Sequence, residues 1–134
     1  MSDAVLNAVN NFYIAYNENK LELLDETLAP GYMAHVNTAE INGAESAKGF
    51  MGHFLTTFPD AHYTVHDLIR GAEGDKVVTR WSCTGTHQGA FAGIEPTGKA
   101  VTMIGITIFK IVDGKIAELW GNWDVAGLLN QLKG

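Results

Sequence analysis

The feature that most constrains the fold is a change of sequence pattern near the middle of the chain. From residue 62 onward, four long segments are rich in β-branched and aromatic residues, as strands are. The last two segments are separated only by Asp113-Gly114, a dipeptide that favours a tight hairpin turn. We therefore predict four consecutive strands in an antiparallel meander, at residues 62–70, 76–88, 100–112 and 115–123.

The first half of the chain instead has the spacing of amphipathic helices. Apolar residues recur every three or four positions from Val5 to Tyr16. Ser2 and Asp3 precede this run, and either side chain can accept hydrogen bonds from the free amides of a first helical turn. We predict a first helix that begins after these residues and carries aromatic side chains at its end.

The helical spacing continues over residues 21–28 and returns over residues 43–58. Pro30-Gly31 ends the first of these patterns and Pro59 ends the second, because proline lacks the amide that a helix interior needs. Between the two helices the sequence predicts a short strand at residues 32–36 and a polar loop at 37–43. A final helix is predicted at residues 125–132.

The order of these elements, helices first and then strands, predicts the α+β class, with helices and sheet in separate layers. The chain has 134 residues, which is the size of one domain, so residues 1–134 are expected to form a single unit. The glycine-rich motifs of nucleotide-binding folds do not occur in the sequence. A doubly wound parallel sheet is therefore not expected.

Composition excludes several classes of partner. A net charge of -6 would repel phosphate backbones and anionic lipid, so we expect neither nucleic acid nor membrane partners. The sequence has no basic leader and no run close to the ~20 apolar residues of a membrane span, which favours a cytoplasmic location. Cys83 is the only cysteine, which excludes an intrachain disulfide and a multi-thiolate metal site.

A second copy of the chain is the macromolecular partner that the sequence favours. Only 18% of the residues are charged, whereas 46% are hydrophobic. Ile104, Ile106 and Ile108 alternate along a predicted strand and therefore lie on one face of it. Such an apolar stripe is too large to leave exposed to water, so we expect a homodimer or a higher homo-oligomer.

The last predicted strand carries the residues that are the strongest candidates for a chemical role. By alternation Ile116, Glu118, Trp120, Asn122 and Asp124 share one face, where two carboxylates and an amide interrupt an apolar row. If that face is buried, its carboxylates need a functional reason. Asp124 has two possible roles: it can cap the final helix, or it can exchange protons with a ligand in a dry pocket.

The five histidines do not have the spacing of a metal site. His62 and His66 lie in a predicted strand, where four residues span ~13 Å, too far for both to bind one ion. We therefore expect no metal. His35, in the short strand before the polar loop, is the histidine that we select as a functional candidate.

Residues 84–99, which read TGTHQGAFAGIEPTGK, resemble the GTHxGxFxGxxPTGK stretch of SnoaL-like polyketide cyclases. The resemblance continues through residues 58–60, 112–120 and 123–132, and covers nearly the whole chain from Tyr32 onward. This family belongs to the nuclear-transport-factor-two-like superfamily. The resemblance implies a cone formed by a strongly curved antiparallel sheet, three N-terminal helices and a short C-terminal helix around an apolar cavity.

The resemblance also implies a chemistry. Asp124 matches the aspartate that acts as general acid and base in such cyclases, and His35 is expected to line the pocket beside it. The implied reaction is an aldol-type ring closure of a hydrophobic, polyketide-like carbonyl compound, without cofactor or metal. Thr107 is a departure, because relatives often carry an acidic residue there. We expect the pocket to be formed by Phe12, Tyr16, Phe50, Phe54, Trp81, Thr107, Trp120 and Asn122.

Two alternatives remain open at this point. The same fold serves isomerases, dehydratases and hydrolases, and the pocket could perform one of those reactions. The chain could also be a non-catalytic module that binds a small molecule or dimerises, with Asp124 acting only as a helix cap.

Overall fold

In the computed structural model, which describes residues 3–134, a curved sheet lies against helices from the first half of the chain. A short 3₁₀ turn, Leu21–Leu23, connects the first two helices. The helices are α1 (Ala4–Asn17), α2 (Leu24–Thr27), α3 (Gly43–Thr57) and α4 (Val125–Lys133). The strands are β1 (Leu28–Val36), β2 (Ala39–Asn42), β3 (His62–Arg70), β4 (Lys76–Thr86), β5 (Ala100–Val112) and β6 (Lys115–Trp123).

The sheet has the strand order β2-β1-β6-β5-β4-β3. The four consecutive strands predicted in the second half are confirmed, and each pairs antiparallel with its neighbour. The α+β class is confirmed too. One pair differs from the rest: β1 runs parallel to β6 and thereby brings the first half of the chain into the same sheet.

The region between α1 and α3 differs from its prediction. The second helix is short, and β1 already begins at Leu28, four residues earlier than expected. Pro30-Gly31 therefore lies inside a strand, at an irregularity where the pairing with β6 is interrupted between Leu28 and Met33. The predicted loop after β1 contains strand β2, because Asn37 at φ 51° turns the chain back into a hairpin.

The start of α1 follows the capping prediction for one of its two candidates. The Asp3 carboxylate accepts hydrogen bonds from the amides of Val5 and Leu6, at 3.1 and 3.4 Å. It also pairs with Arg70 at the end of β3. Ser2, the other candidate, lies outside the described residues.

The core lies between the concave face of the sheet and the helices. In β4 and β5 every second side chain points inward and is buried, as with Val77, Cys83 and Phe109. The ring of Phe109 contacts Phe12 of α1 edge-on, with the ring centroids 5.2 Å apart. The intervening residues of β5 point to the outer face, where the predicted stripe of Ile104, Ile106 and Ile108 is exposed.

Strand β6 contains a bulge that reverses the alternation of its side chains. Ile111 of β5 pairs with Ile116, whereas Lys110, the residue before it in β5, pairs with Glu118. Ala117 therefore has no partner in β5. Ile116 is therefore buried, whereas Glu118 points to the outer face. The expectation that residues 116, 118, 120, 122 and 124 share one face is wrong for this reason, because Ile116 points inward and the later residues point outward.

No helix within residues 3–134 is long and apolar enough to cross a lipid bilayer.

Candidate functional site

The concave face of the sheet and the helices enclose an apolar cavity. Its volume is about 70 Å³, counted as the space open to the centre of a water molecule. Aromatic side chains form most of its wall, and the inner residues of β4, β5 and β6 form its floor. The residues that line it are Phe12, Tyr13, Tyr16, Val36, Phe50, Phe54, Tyr63, Trp81, Met103, Thr107, Leu119, Gly121 and Trp123.

A second hollow, of about 230 Å³ by the same measure, forms the mouth of the cavity. The two spaces share four lining residues, Val36, Phe50, Phe54 and Trp123, and are therefore adjacent. The remaining wall of the mouth comes from the β1–β2 turn, the C-terminal half of α3 and the loop before β5. These parts contribute Asn37, Thr38, Ala39, His53, Thr57 and Phe91.

Asn37 fixes one edge of the mouth. Its side chain accepts a hydrogen bond from the Trp123 amide at 3.0 Å and donates one to the Trp123 carbonyl at 3.2 Å. Its own amide donates to the Gly121 carbonyl at 2.8 Å. The turn after β1 is thereby tied to the end of β6, and the Trp123 ring stays beside Phe91, with the ring centroids 6.4 Å apart.

The floor of the cavity carries two hydrogen-bonded pairs in an otherwise apolar surface. The indole nitrogen of Trp81 donates to the Thr107 hydroxyl at 3.0 Å. The hydroxyls of Tyr13 and Thr79 lie 2.6 Å apart. Thr79 and Thr107 face each other across β4 and β5, and Thr107 faces Gly121 across β5 and β6, so these groups form one row across the sheet.

The cavity is electrically neutral around physiological pH. Burial raises the pKa of Tyr13 to about 12 and also raises the pKa values of Tyr16 and Tyr63. These tyrosines therefore act as neutral hydroxyl groups. Among the described residues that line the cavity, none is an Asp, Glu, Lys, Arg or His. His53 at the mouth is exposed and is the one histidine in either lining over residues 3–134.

Six of the eight residues expected in the pocket are brought together around this cavity. Four come from helices α1 and α3 on one side, and the other two from the inner face of β4 and β5. They are Phe12, Tyr16, Phe50, Phe54, Trp81 and Thr107. Their role in substrate binding stays a prediction.

Asp124 does not lie where the sequence placed it. It is exposed at the start of α4, and its carboxylate accepts a hydrogen bond from the Gly127 amide at 2.8 Å. The parity of β6 after the bulge directs its side chain away from the cavity, into a groove on the outer face beside Arg80 and Asn122. The expected position on the cavity wall is wrong, and the structure instead gives Asp124 the helix-capping role.

His35 also lies on the outer face rather than in the pocket. Its neighbours in β1 on the inner side are Ala34 and Val36, so alternation turns His35 outward. Its Nε2 lies 2.7 Å from the Glu118 carboxylate, and its Nδ1 lies 3.2 Å from Glu40. The hydrogen bond to Glu118, together with the charges of both carboxylates, raises the pKa of His35.

Trp120 and Asn122, the remaining two expected pocket residues, are likewise on the outer face. The Trp120 ring stacks on His35, with centroids 6.0 Å apart, and the Lys76 ammonium lies 5.7 Å from its centre. Asn122 is exposed in the outer groove with Asp124. Both positions are corrections that follow from the same bulge in β6.

Sequence reasoning missed the residues of β6 that face inward because the bulge reverses the alternation of its side chains. Leu119, Gly121 and Trp123 line the cavity in place of the residues between them. A preference for the face with the largest apolar residues could have indicated Leu119 and Trp123, but the presence of Trp120 on the opposite face removed that signal. Tyr13 was indicated only as part of the first helix, and its hydroxyl contact depends on tertiary packing.

Comparison with known proteins agrees with this fold. The sequence profile described as SnoaL-like polyketide cyclase matches residues 6–132. A search of curated proteins found no match. The structure resembles TsrD from Streptomyces laurentii at 33% sequence identity, with a TM-score of 0.86 and coverage of 98% of both chains.

Two other solved structures are similar over most of their length. IdmH from Streptomyces antibioticus, described as a candidate polyketide cyclase, is 30% identical, with a TM-score of 0.84 and coverage of 97% of this chain and 99% of that chain. AclR from Streptomyces galilaeus, described as a candidate hydroxylase, is 28% identical, with a TM-score of 0.84 and coverage of 96% and 80%.

The His35 cluster predicts a pH dependence of stability. Because the folded-state pKa of His35 is raised, its pairing with Glu118 and Glu40 stabilises the protein fully below the unfolded pKa of about 6.5. That contribution is lost as the pH rises through the raised folded-state pKa. Urea unfolding between about pH 6 and pH 9 should show a fall in stability that is smaller in His35→Gln. An equal fall in both proteins would contradict this assignment.

Proposed function

The chain belongs to the SnoaL-like polyketide cyclase family, and on this basis we propose that it is a cyclase-like enzyme acting on a hydrophobic carbonyl compound in its cavity. The reaction that fits best is an aldol-type ring closure of a polyketide-like molecule by proton transfer, with no cofactor required. The single observation that carries the proposal is the neutral, apolar cavity with hydroxyl groups in its floor.

The cavity supplies what an intramolecular ring closure needs most, which is a fixed conformation of one flexible molecule. Aromatic walls from α1, α3 and β4 can hold apolar carbon skeletons in a folded shape. Holding two reacting ends in the correct geometry can supply roughly 7–11 kcal/mol of the barrier for well-oriented intramolecular reactions. Exclusion of water from such a space also strengthens each hydrogen bond to a carbonyl oxygen.

Proton transfer requires an acceptor, and the geometry favours His53 over Asp124. His53 lines the mouth through which a ligand would enter, and histidine is the side chain that most often acts as a general base in enzymes. The acid/base role that the family resemblance gives to Asp124 would require a ligand on the outer face, where Asp124 lies in a groove with Arg80 and His66. The two assignments predict different effects of substitution.

The second candidate function is that of a binding module that does not turn over its ligand. The absence of any carboxylate from the described lining of the cavity favours it. Such a module would bind the same hydrophobic carbonyl compounds and leave their carbon-bound protons unexchanged. Binding without proton exchange therefore separates the module from the enzyme.

The outer face of the sheet is the surface on which a second copy of the chain would pack. Ile104, Ile106 and Ile108 are 55%, 49% and 36% exposed and form a continuous stripe along β5. Charged pairs of both signs border it, including Arg80 with Asp67 and His35 with Glu118. An apolar stripe with a polar border is typical of a dimer interface.

Gly121→Leu should weaken ligand binding without unfolding the protein. A leucine side chain there would occupy the space above the cavity floor, and we expect the dissociation constant of acetonaphthone, a neutral aromatic ketone, to rise at least about tenfold. Isothermal titration calorimetry measures the change. Gly121→Ala is a graded comparison with a smaller expected effect, because its Cβ would meet Thr107, Leu119 and Val36 only at 3.5–4.0 Å and fills a smaller part of the same space. Equal binding by the leucine variant would place the ligand elsewhere.

Asp124→Asn and His53→Gln distinguish the two proton acceptors. The readout is exchange of the acetonaphthone methyl protons in D₂O, followed by proton NMR. Asparagine also caps helices, so we expect Asp124→Asn to leave exchange within about threefold, whereas His53→Gln lowers it by about 100-fold. Thr56 and Thr57 bond only the backbone carbonyl of residue 53, which the substitution keeps. A 100-fold loss in Asp124→Asn alone would restore the role that the resemblance implies.

Ile106→Lys should convert a homodimer into a monomer. Lysine in the centre of the stripe would bury a charge in the interface, which is costly without a partner. Sedimentation velocity over a concentration series gives the oligomeric state. Glu95→Gln, on an exposed loop, controls for the same change of one unit in net charge. A native chain that sediments as a monomer at every concentration would contradict the proposed interface.

A further inference from the structure

The direction of one hydrogen bond in the cavity floor determines what kind of ligand atom can bind there. An indole nitrogen can only donate, so the Thr107 oxygen is the acceptor in the 3.0 Å bond from Trp81. The hydroxyl proton of Thr107 is then free to point elsewhere. Because Thr107 is only 6% exposed, that proton needs an acceptor inside the protein or in a ligand.

The structure leaves room for such an acceptor directly beside Thr107. Its partner across β5 and β6 is Gly121, which has no side chain. A Cβ placed on Gly121 would lie 3.5 Å from Thr107 Oγ1, so this glycine borders a space next to the hydroxyl. Both residues line the cavity. The space above Gly121 is therefore open to a ligand atom within hydrogen-bonding reach of Thr107.

On the other side of Thr107 the row continues with a second hydroxyl pair. The Tyr13 and Thr79 hydroxyls lie 2.6 Å apart, and Thr79 is the direct partner of Thr107 in β4. Tyr13 itself lines the cavity, and the Thr107 hydroxyl lowers its pKa slightly against the larger effect of burial. Two neutral hydroxyl groups thus converge on one end of the cavity, and the N–H of Trp81 polarises one of them.

From this arrangement we propose that the chain selects a neutral ketone whose oxygen accepts a hydrogen bond from Thr107 in the space above Gly121. The inference rests on the proposed function and narrows it to neutral ligands whose carbonyl oxygen points to the cavity floor. A carboxylate would have to lose its hydration in a lining that has no cation within residues 3–134. A hydrocarbon offers the Thr107 proton no acceptor and therefore gains no hydrogen bond in the cavity.

Trp81 acts here as a positioning residue. Its indole N–H donates to Thr107 and so orients the threonine hydroxyl, but it does not donate to the ligand oxygen. Its six-membered ring also packs against the backbone at Gly105, where an added Cβ would clash with the ring. The indole is thereby held in place on the cavity floor. The orientation of the Thr107 hydroxyl therefore follows from packing as well as from the hydrogen bond.

Three probes of one size test the proposal: the ketone acetonaphthone, the isosteric hydrocarbon isopropenylnaphthalene, and the anion naphthoate. In calorimetric titrations of the native chain, we expect the ketone to bind about tenfold more tightly than the hydrocarbon, the gain from one buried hydrogen bond. Naphthoate is expected to bind most weakly. Thr107→Val should bind ketone and hydrocarbon equally, whereas Thr107→Ser, which keeps the hydroxyl, should retain the preference for the ketone.

The outcomes separate the inference from the proposed function. If neither neutral probe binds and Gly121→Leu changes nothing, the proposed function fails. If both neutral probes bind the native chain equally, or if naphthoate binds most tightly, only the present inference is overturned. A ketone preference that persists in Thr107→Val also overturns it, and the same preference lost in Tyr13→Phe would move the donor role to Tyr13. Should Thr107→Val unfold, the comparison of the native chain with Thr107→Ser still decides, because a serine variant without the preference contradicts the proposal.

Discussion

The pairing of β6 with its neighbours is the constraint on which the site depends. One unpaired residue, Ala117, reverses the alternation of the strand, so that Leu119, Gly121 and Trp123 face the helices. Without the bulge, Glu118 and Asp124 would point into the interior, where their charges would require partners. The bulge therefore keeps the acidic side chains of the strand outside and leaves the cavity neutral.

The neutral interior has consequences for the chemistry that this cone can support. Its polar groups are hydroxyls and an indole N–H, which donate hydrogen bonds but do not remove protons at physiological pH. The proposed enzyme would work by holding a carbonyl compound in a reactive shape, with a proton acceptor at the edge of the cavity. The chain keeps the architecture of its family, yet fold alone does not fix chemistry, as the different descriptions of IdmH and AclR illustrate.

The two faces of the parallel pair of β1 and β6 have different surroundings. On the inside, Val36 at the end of β1 joins the cavity wall. On the outside, one residue earlier, His35 is held between Glu118 and Glu40 and stacks on Trp120. Alternation in a strand thus places an apolar ligand surface and a charged cluster on adjacent residues. The charged cluster ties three neighbouring strands together at the edge of the stripe that would meet a second copy.

Features that depend on local patterns follow from the sequence alone. Helix α3 follows from its apolar spacing and ends at Thr57, two residues before Pro59, and the β5–β6 hairpin follows from Asp113-Gly114. Five aromatic positions around the cavity could also be predicted, because large apolar residues on regular elements turn inward, whereas Thr107 was indicated by the family resemblance. The family was recognisable from the motif at residues 84–99.

Three features instead depend on long-range strand pairing: the face of β6 that is inside, the parallel pairing of β1 with β6, and the strand at residues 39–42. Each of these depends on pairing between segments far apart in the chain, and a shift of one residue moves every following side chain to the opposite face. Asp124 and His35 carry the right chemical groups for catalysis in the sequence. Their positions outside the cavity follow from which side chains of each strand face inward, and the spacing of residues in the sequence does not predict this.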